Sequence, residues 1–434
     1  MENPKKETAP AKISRRTLIG GTLAAAIIPL SSSFAKYIQV GLPADPVPEP
    51  TADPVPEPTA DPAKLAAPLA DPTKVIGPGP SELGTRSPFE NPLRKPSEIS
   101  SRTPLQDMYS TITPADLHFE RHHAGIPAID PEQYELVIHG MVDRPMKFTL
   151  AELKRFPSVT RTSFLECAGN FRTGKEEMTP QDILGLTSQS EWTGVMLSTL
   201  FREVGASAKA TWFLAEGGDA AVLTRSIPMQ KGWGDAMIAY GQNGEAIRPA
   251  QGYPSRLFLP GYEGNMNVKW IRRIEISDQP YMTREETSKY TYPVKDKISM
   301  FNFEMDARSI ITFPSFPQKV ERGWIEIRGI AWTGRGKIVR VEVSTDAGRN
   351  WFTAKLQEPV LDKAHTYFRY LWQWNGGETE IMSRAADDTG YVQPSLQQLV
   401  GARGKDIGGY HMNPVTAWQI KRDGSVLFKP ENYK

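Results

Sequence analysis

Cys167 is the one cysteine of this 434-residue chain, and it lies in the stretch "TSFLECAGNFR" from Thr162 to Arg172. A single thiol has three chemical uses: it packs as a small hydrophobic side chain, attacks as a nucleophile, or binds a soft metal as a thiolate. A nucleophile needs a base, and the chain offers six histidines: His118, His122, His123, His139, His365 and His411. A metal at Cys167 must be carried mostly by a non-protein cofactor, because no second cysteine can help to hold it. These residues alone leave the three uses open.

The first 35 residues have the pattern of an export signal. Basic residues precede "SRRTLIGG", an apolar run follows from Leu18 to Leu30, and "SFA" resembles a small-residue cleavage site. The pair Arg15 and Arg16 indicates the twin-arginine route, which exports folded proteins. The apolar run is too short to span a bilayer comfortably. The sequence therefore predicts a periplasmic protein with no membrane span in its mature form, where one unpaired thiol cannot make an internal disulfide.

The net charge of the whole chain and a proline-rich repeat after the export signal narrow the possible partners and structures. The 51 basic and 50 acidic residues leave a net charge of +1, which gives no support for a nucleic-acid partner or an anionic membrane. Two tandem copies of "ADPVPEPT" occupy residues 44–59. Proline at this density favours extended polyproline II structure over packed elements. Residues 36–103 are thus predicted to form a proline-rich linker or wrapping arm.

The elements that would position the thiol begin near Pro104. "YELVIHGMV" alternates like a strand, and "FTLAELKRF" follows as a short helix in which Thr149 and Glu152 have capping-box spacing. "VTRTSFLEC" is rich in β-branched and aromatic residues, so it predicts a strand that ends at Cys167. "MLSTLFREVG" predicts a helix that ends at glycine. The mixture indicates an α+β domain over residues 104–292, with Cys167 where side chains can converge on a pocket.

The pattern changes after about residue 300. Segments such as "GWIEIRGIAWTG" and "TYFRYLWQW" read as strands, and Asp346-Ala347-Gly348 reads as the turn of a hairpin. Several short strands with little helical periodicity predict an all-β, immunoglobulin-like sandwich over residues 300–430.

The motif "ECAGNFR" resembles the molybdenum-binding signature of the sulfite oxidase family, in which Cys-Ala-Gly-Asn is followed by an arginine two residues on. Other family landmarks occur in the expected order, namely "FERHHAGIP", "AEGGD", "QGYPSRLFLPG" and "NVKW". The resemblance implies a sulfite-oxidase-type molybdopterin domain followed by a dimerisation domain. It also implies that a pyranopterin dithiolene and oxo groups share the molybdenum with the thiolate of Cys167. Soft sulfur ligands suit such a metal.

The same resemblance assigns residues to the cofactor, whose phosphate and polar pterin need donors and counter-charge. Gln251 stands where several relatives have histidine, and His123 is the expected histidine donor. The implied cofactor-binding residues are Phe119, Arg121, His122, His123, Cys167, Asp219, Gln251, Arg256, Asn267, Val268 and Lys269.

Substrate binding in this family relies on arginines near the oxo group. The resemblance places Arg121 and Arg172 there, and the planar guanidinium fork suits an oxyanion. A tyrosine is also expected, and Tyr290 in "REETSKYT" is the candidate. Around "GYHMNPV" there is no clear equivalent of a C-terminal pocket arginine, nor of a pocket tryptophan, found in sulfite-oxidising relatives. This departure puts free sulfite in doubt as the physiological substrate.

The resemblance therefore implies a periplasmic molybdenum oxidoreductase that transfers an oxygen atom from a molybdenum oxo group to reduced sulfur, as sulfite or as sulfane sulfur bound to a carrier protein. Within the family the chain most resembles the molybdenum subunits of sulfane dehydrogenases. No Cys-x-x-Cys-His haem motif occurs, so a partner c-type cytochrome is expected as electron acceptor. A homodimer within a heterotetramer is implied as well.

Other functions remain open at this point. The first is a periplasmic sulfite dehydrogenase that acts on free sulfite. A methionine-sulfoxide reductase of the same superfamily is disfavoured by the β-rich region of residues 300–430. From a different class, the chain could be a non-enzymatic β-sandwich binding protein in which Cys167 is merely buried.

Overall fold

The computed structural model describes residues 76, 79–294, 298–404 and 407–431. The predicted export signal and the ADPVPEPT repeats lie outside these described residues. Residues Leu83–Lys434 form one compact unit, which includes both of the predicted folded domains. Among the described residues, no helix is long and apolar enough to cross a bilayer.

The first part of this unit mixes strands with short helices. Its strands are β1 (Lys95–Pro96), β2 (Ser100–Arg102), β3 (Glu120–Arg121), β4 (Glu135–Gly140), β5 (Met146–Thr149), β6 (Ser158–Glu166), β7 (Thr187–Met196), β8 (Trp212–Gly217), β9 (Thr224–Pro228), β10 (Met237–Gln242), β11 (Glu245–Ala246), β12 (Arg256–Phe258) and β13 (Ile271–Ser277). Its helices are α1 (Leu150–Leu153), α2 (Pro180–Leu184), α3 (Leu197–Val204), α4 (Met229–Gly234) and α5 (Arg284–Ser288).

The second part is mostly strand. It contains β14 (Thr291–Val294), β15 (Ile298–Phe301), β16 (Arg308–Phe313), β17 (Gly323–Trp332), β18 (Ile338–Ser344), β19 (Phe352–Thr353), β20 (Lys355–Leu356), β21 (Thr366–Trp374), β22 (Thr379–Asp387), α6 (Leu396–Arg403), β23 (Ala417–Ile420) and β24 (Val426–Phe428). A second domain with mostly sheet and few helices is therefore present, and its immunoglobulin-like topology stays a prediction.

Several local predictions are confirmed. Thr149 and Glu152 form the capping box of α1, with both reciprocal hydrogen bonds present. The helix α3 ends at Gly205, which adopts the left-handed conformation that glycine allows, with φ of 67°. The strand before the thiol, β6, ends one residue before Cys167. The pattern of the sequence therefore locates the thiol at a strand end.

Two sheets build the first domain. One has the strand order β11-β10-β7-β6, with β12 added on β10, and the other has the order β5-β4-β13-β8-β9. In the second sheet β13 runs parallel to β4 and antiparallel to β8. Their apolar faces share one core with α1 and α3, which includes Leu136, Phe201 and Ile274. This rigid core places the carboxyl end of β6 and the loops after β8 and β12 near one another.

The second domain consists of two antiparallel sheets, with strand orders β16-β17-β21-β20 and β19-β18-β22-β23-β24. Their buried faces share a core that includes Ile327, Phe368 and Trp418. Phe164 of β6 and Ile183 of α2 belong to the same apolar cluster. The hydrophobic core is therefore continuous between the two domains, which explains why they form one compact unit.

The residues from Leu83 to Thr103, which the sequence assigns to the proline-rich arm, lie in this unit. Strand β2 is buried and pairs with both β1 and β3 in a three-stranded sheet. In this sheet Ser100 is aligned with Arg121. The Thr103 hydroxyl is 2.6 Å from that of Ser188 on β7. This small sheet thus holds the segment that carries Arg121.

Candidate functional site

A cavity lies beside Cys167. It collects most of the side chains that the sequence singles out. Its lining residues are Phe119, Arg121, His122, His123, Leu165, Cys167, Asp219, Leu223, Gln251, Arg256, Gly264, Asn265, Asn267, Lys269, Trp270 and Tyr290. The structure therefore brings together residues that are up to 171 positions apart in the chain, from Phe119 to Tyr290.

The turn that presents Cys167 is fixed by its neighbours. The Asn170 amide nitrogen donates to Glu166 Oε1 at 2.9 Å and to the Leu184 carbonyl at 3.0 Å. Its amide oxygen accepts from the Leu186 backbone at 2.8 Å. A Cβ on Gly264 would lie 2.7 Å from the Glu166 carbonyl oxygen, so only glycine lets this loop approach the turn. The asparagine and the glycine hence set the position of the thiol.

The second domain supports the same turn from behind. Arg308 Nη1 lies 2.7 Å from Glu166 Oε1 and donates to the Asn170 carbonyl at 2.9 Å. Trp332 Nε1 donates to Glu166 Oε2 at 2.7 Å, and the backbone nitrogen of His411 donates to the Ala168 carbonyl at 2.8 Å. Burial raises the pKa of Glu166, and the Arg308 charge opposes that rise. The cysteine turn thus depends on contacts between the domains.

The thiol lies in an apolar setting with one prominent cation. Cys167 packs against a cluster that includes Phe119 and Leu165. Burial raises the pKa of the thiol, while the Arg121 charge lowers it part of the way. A buried thiol of this kind becomes a thiolate most readily when a metal takes the place of its proton.

Lys269 braces the "FERHH" segment from the opposite wall. Its Nζ donates to the carbonyls of Arg121 and Ala250, at 3.2 and 3.0 Å, and lies 2.9 Å from His122 Nδ1. Because the Glu120 carboxylate accepts from Nε2 of His122 at 3.0 Å, Nδ1 of the neutral ring accepts from Lys269. Burial lowers the pKa of His122 to about 4, in accord with a neutral ring, and also lowers that of Lys269.

Arg256 and Gln251 form a second brace. Arg256 donates to the carbonyls of Gln251 and Asn267, at 2.9 and 2.8 Å, and Gln251 donates to the Phe119 carbonyl at 2.7 Å. Burial lowers the pKa of Arg256 to about 9. Its Nε and both amide atoms of Asn265 are buried without a protein partner among the described residues. Both residues line the cavity, so a polar ligand there could satisfy these atoms.

His123 and Tyr290 both line the cavity and are in direct contact with each other. Their Nε2 and hydroxyl oxygen lie 2.8 Å apart. Burial lowers the pKa of His123 to about 4 and raises that of Tyr290, so the phenol keeps its proton and donates to the neutral imidazole. Nδ1 of His123 then carries the ring proton. The pair therefore offers a fixed hydroxyl and an imidazole N–H in the cavity.

Not every predicted residue faces this space. Arg172 is exposed and does not line the cavity, and its backbone nitrogen donates to the Ile183 carbonyl. Val268 is fully buried, with its side chain in the core of the first domain. Asp219 lines the cavity and accepts from the Leu223 backbone at 3.4 Å. It is the one carboxylate among the described lining residues, against the cations Arg121, Arg256 and Lys269.

Sequence reasoning did not single out several residues of this region. Asn265 lies between the family landmarks "QGYPSRLFLPG" and "NVKW", and only its closeness to them could have indicated it. Tyr410, from "GYHMNPV", has its ring 5.2 Å from that of Tyr290. Arg225 and Glu263 form a buried ion pair behind Tyr290, and no local pattern marks such a pairing between distant residues.

Comparisons with known proteins agree with this geometry. Residues 123–285 match the oxidoreductase molybdopterin binding domain, and residues 299–417 match the Mo-co oxidoreductase dimerisation domain. Sulfite oxidase of Gallus gallus is 30% identical over 330 residues, which cover 69% of this chain and 72% of that protein. Mitochondrial sulfite oxidase of Drosophila melanogaster is 31% identical over 337 residues, which cover 69% of this chain but only 58% of that protein.

A solved structure is similar over most of the chain. The crystal structure of the sulfane dehydrogenase SoxCD from Paracoccus pantotrophus matches with a TM-score of 0.80 and 39% identity. The match covers 86% of this chain and all of that one.

The residues of the cavity fit the cofactor that these relatives imply. A pyranopterin with a phosphate needs an excess of cations and polar atoms without other partners, and Arg256 Nε and Asn265 provide such atoms. Cys167 in the same lining offers a thiol, and sulfur is a ligand type that suits molybdenum. By its family matches, its identity to the sulfite oxidases and this fit, the chain belongs to the sulfite oxidase family of Mo-molybdopterin oxidoreductases.

Proposed function

We propose that this protein oxidises reduced sulfur in the periplasm, with sulfane sulfur on a carrier protein as its substrate. The observation that carries the proposal is the position of the single thiol, in one cavity with Arg121, His123 and Tyr290. The bound molybdenum cofactor supplies oxygen-atom transfer and the capacity to take up two electrons. The chain supplies binding, orientation and charge.

The protein holds the cofactor through two groups of residues. Cys167 binds the metal as a thiolate, at the end of the rigid strand β6. Arg256 Nε and the Asn265 amide bind the pterin and its phosphate, because these buried atoms have no other partner among the described residues. Phe119, His122, Asp219, Gln251, Asn267, Val268 and Lys269 complete this proposed cofactor-binding set, with Lys269 and Gln251 acting through the backbone of the FERHH segment.

Other residues are proposed to act on the substrate rather than on the cofactor. Arg121 draws an anionic or polarised sulfur group toward Cys167 through its permanent charge. Without substrate the Tyr290 hydroxyl donates its proton to His123 Nε2, and we propose that it turns this proton to the reacting oxygen when substrate is bound. Arg172 is exposed, so its proposed action on substrate would take place outside the cavity.

The similarity to a sulfane dehydrogenase supports the choice of substrate. A sulfur atom on the tip of a carrier needs a cavity that opens to solvent and a site with few competing cations on the substrate side. Arg256 and Lys269 each donate to two backbone carbonyls, whereas Arg121 donates to one, that of His122, so more of the Arg121 guanidinium is left for the substrate.

The proposal includes partners and a location. Electrons leave to a c-type cytochrome subunit, and the protein forms a homodimer within a heterotetramer. The match to the dimerisation domain supports the dimer, and the similarity to SoxCD supports the larger complex. The Arg15–Arg16 pair supports export by the twin-arginine pathway. We also propose domain boundaries at residues 104–292 and 300–430, the latter with an immunoglobulin-like topology.

Free sulfite is the second candidate substrate, favoured by the identity to sulfite oxidases. Steady-state turnover decides between the two. Purified, molybdenum-loaded protein is given either sulfite or a carrier protein charged with sulfane sulfur, with cytochrome c as acceptor. We expect kcat/KM to be at least about tenfold higher for the charged carrier, which corresponds to about 1.4 kcal/mol. A preference for sulfite would establish the second candidate, and no turnover of either would refute both.

A further inference from the structure

Tyr290 has a backbone conformation that needs support. Its φ is 51°, in the left-handed region that residues other than glycine seldom adopt. The residue follows the short helix α5 and is 6% exposed. Such conformations persist only where the surroundings impose them, and they occur preferentially at functional sites. The contacts of the Tyr290 ring should therefore show what imposes this conformation.

A buried guanidinium lies against this ring. The central carbon of Arg225 is 5.1 Å from the centre of the Tyr290 ring. Its Nε donates to Glu286 Oε1 at 2.8 Å, and its Nη1 donates to Glu263 Oε1 at 3.1 Å. Arg225 is fully buried, and its Nη2 has no hydrogen-bond partner among the described residues. Two carboxylates thus hold one planar cation in a fixed plane beside the phenol ring.

Glu263 connects this ion pair to the second domain. Its Oε2 lies 3.0 Å from His411 Nε2. The Asn302 amide nitrogen is 3.4 Å from His411 Nδ1, so Nδ1 accepts and Nε2 donates to the carboxylate. His411 also has a left-handed backbone, with φ of 53°, and its backbone nitrogen binds the Ala168 carbonyl beside Cys167. We call Arg225, Glu263 and His411 the support chain.

Stability alone is a weak reason for such an arrangement. Replacing a buried ion pair by apolar residues of similar size is often neutral for stability or even favourable. The support chain, in contrast, can fix the relative position of two parts of the site. Its three side chains link the backbone of the cysteine turn to the face of the Tyr290 ring. The tyrosine hydroxyl and the thiol consequently share one support.

We propose that Arg225 is a positioning residue for Tyr290, and that the support chain fixes the phenol relative to the cysteine turn. Arg225 does not line the cavity, so it acts on the reaction only through the tyrosine. The inference rests on the proposed function for the role of the Tyr290 hydroxyl, but the positioning itself is a property of the fold.

A double-mutant cycle between positions 225 and 290 tests this proposal. Arg225→Lys keeps a cation between the two glutamates but removes the planar fork, and Tyr290→Phe keeps the ring but removes the hydroxyl. In the otherwise unchanged protein, we expect Arg225→Lys to lower kcat by about tenfold to a hundredfold, with little change in KM. In the Tyr290→Phe background, Arg225→Lys should lower kcat by less than about twofold, because the hydroxyl that Arg225 positions is already absent. Equal effects in both backgrounds would overturn the proposal.

A spectroscopic measurement makes the test independent of turnover. With 3-fluorotyrosine placed at position 290, we expect one sharp fluorine resonance that Arg225→Lys shifts and broadens. The control is Arg384→Lys, since Arg384 also lies over an aromatic ring, that of Trp351 at 4.2 Å, and pairs with Glu342. It should leave the resonance unchanged. An unaltered resonance in Arg225→Lys would contradict the positioning role.

Two outcomes separate this inference from the proposed function. If Tyr290→Phe retains full activity, the role of the hydroxyl is wrong, and the fluorine spectrum alone decides on the positioning. If Arg225→Lys fails to fold or to retain molybdenum, Glu263→Gln replaces it in the same cycle and the same spectra, since it weakens the hold on Arg225 without adding bulk. Additive effects of Glu263→Gln and Tyr290→Phe, with an unshifted resonance, would then overturn the proposal.

Discussion

Trp332 of the second domain donates a hydrogen bond of 2.7 Å to Glu166, the residue directly before the thiol. Both side chains are fully buried, and the glutamate oxygen that accepts is not the one that contacts Arg308. The second domain therefore contributes to the geometry of the turn that carries Cys167.

Trp332→Phe tests this contribution. The change leaves a buried carboxylate oxygen without its donor, so we expect a loss of about 1–3 kcal/mol in the free energy of unfolding and a lower molybdenum content. Denaturant unfolding and metal analysis measure the two effects. Trp324→Phe is the matched control, because Trp324 lies in the same strand, β17, but is 66% exposed. Equal behaviour of the two variants would show that the hydrogen bond does not support the turn.

Lys269→Met tests the brace of the FERHH segment. The change removes a donor from two carbonyls and from His122, so the segment should become mobile and release the pterin. We expect purified protein to retain less than about half of its pterin after dialysis, as measured by fluorescence of the oxidised pterin, with about 1–3 kcal/mol lost in stability. The exposed Lys337→Met is the control. Full pterin retention would argue against the brace.

Acid should destabilise the protein through its buried histidines. Burial lowers the pKa of His118 and of His365 from 6.5 to about 3. Between these values the unfolded chain binds more protons than the folded one, so the free energy of unfolding falls as the pH decreases from 6.5 toward 3. Each residue contributes a slope of up to about 1.4 kcal/mol per pH unit. His118→Gln should reduce the slope measured by denaturant titration at pH 4.5 to 6.5, and an unchanged slope would exclude this cause.

Arg121 and Arg172 should differ in their effect on turnover. Arg121 faces the cavity and Arg172 is exposed, although the resemblance assigned both to the substrate. We expect Arg121→Gln to lower kcat/KM by about a hundredfold, the effect of losing a charged hydrogen bond of roughly 3 kcal/mol. Arg172→Gln should lower it by less. A larger effect of Arg172→Gln would place the substrate outside the cavity.

Local patterns were sufficient for many of the elements. The Thr149 and Glu152 spacing predicted the start of α1, and the β-branched run before Cys167 predicted β6. The resemblance to the family identified most of the residues that line the cavity, because it matched this chain motif by motif. These features depend on residues close in sequence, so they can be read from the chain.

Contacts between distant residues could not be read in this way. Nothing near Arg225 indicates that it would pair with Glu263 and support Tyr290, because the pairing depends on how strand β9 packs against the loop after β12. Val268 shows a limit of motif matching. Its motif matches the family, but its side chain packs in the core of the first domain. Side-chain direction depends on tertiary packing rather than on the motif.

The molybdenum content of Cys167→Ser, compared with that of the unchanged protein, tests the central claim most directly. A hydroxyl is a poorer ligand than a thiolate for this soft metal. We predict that the variant keeps a near-unchanged unfolding transition but loses the sulfur-to-molybdenum charge-transfer absorption, most of the bound metal and activity on every sulfur substrate. Full metal content with undiminished absorption and turnover would contradict the assignment of Cys167 as the molybdenum ligand.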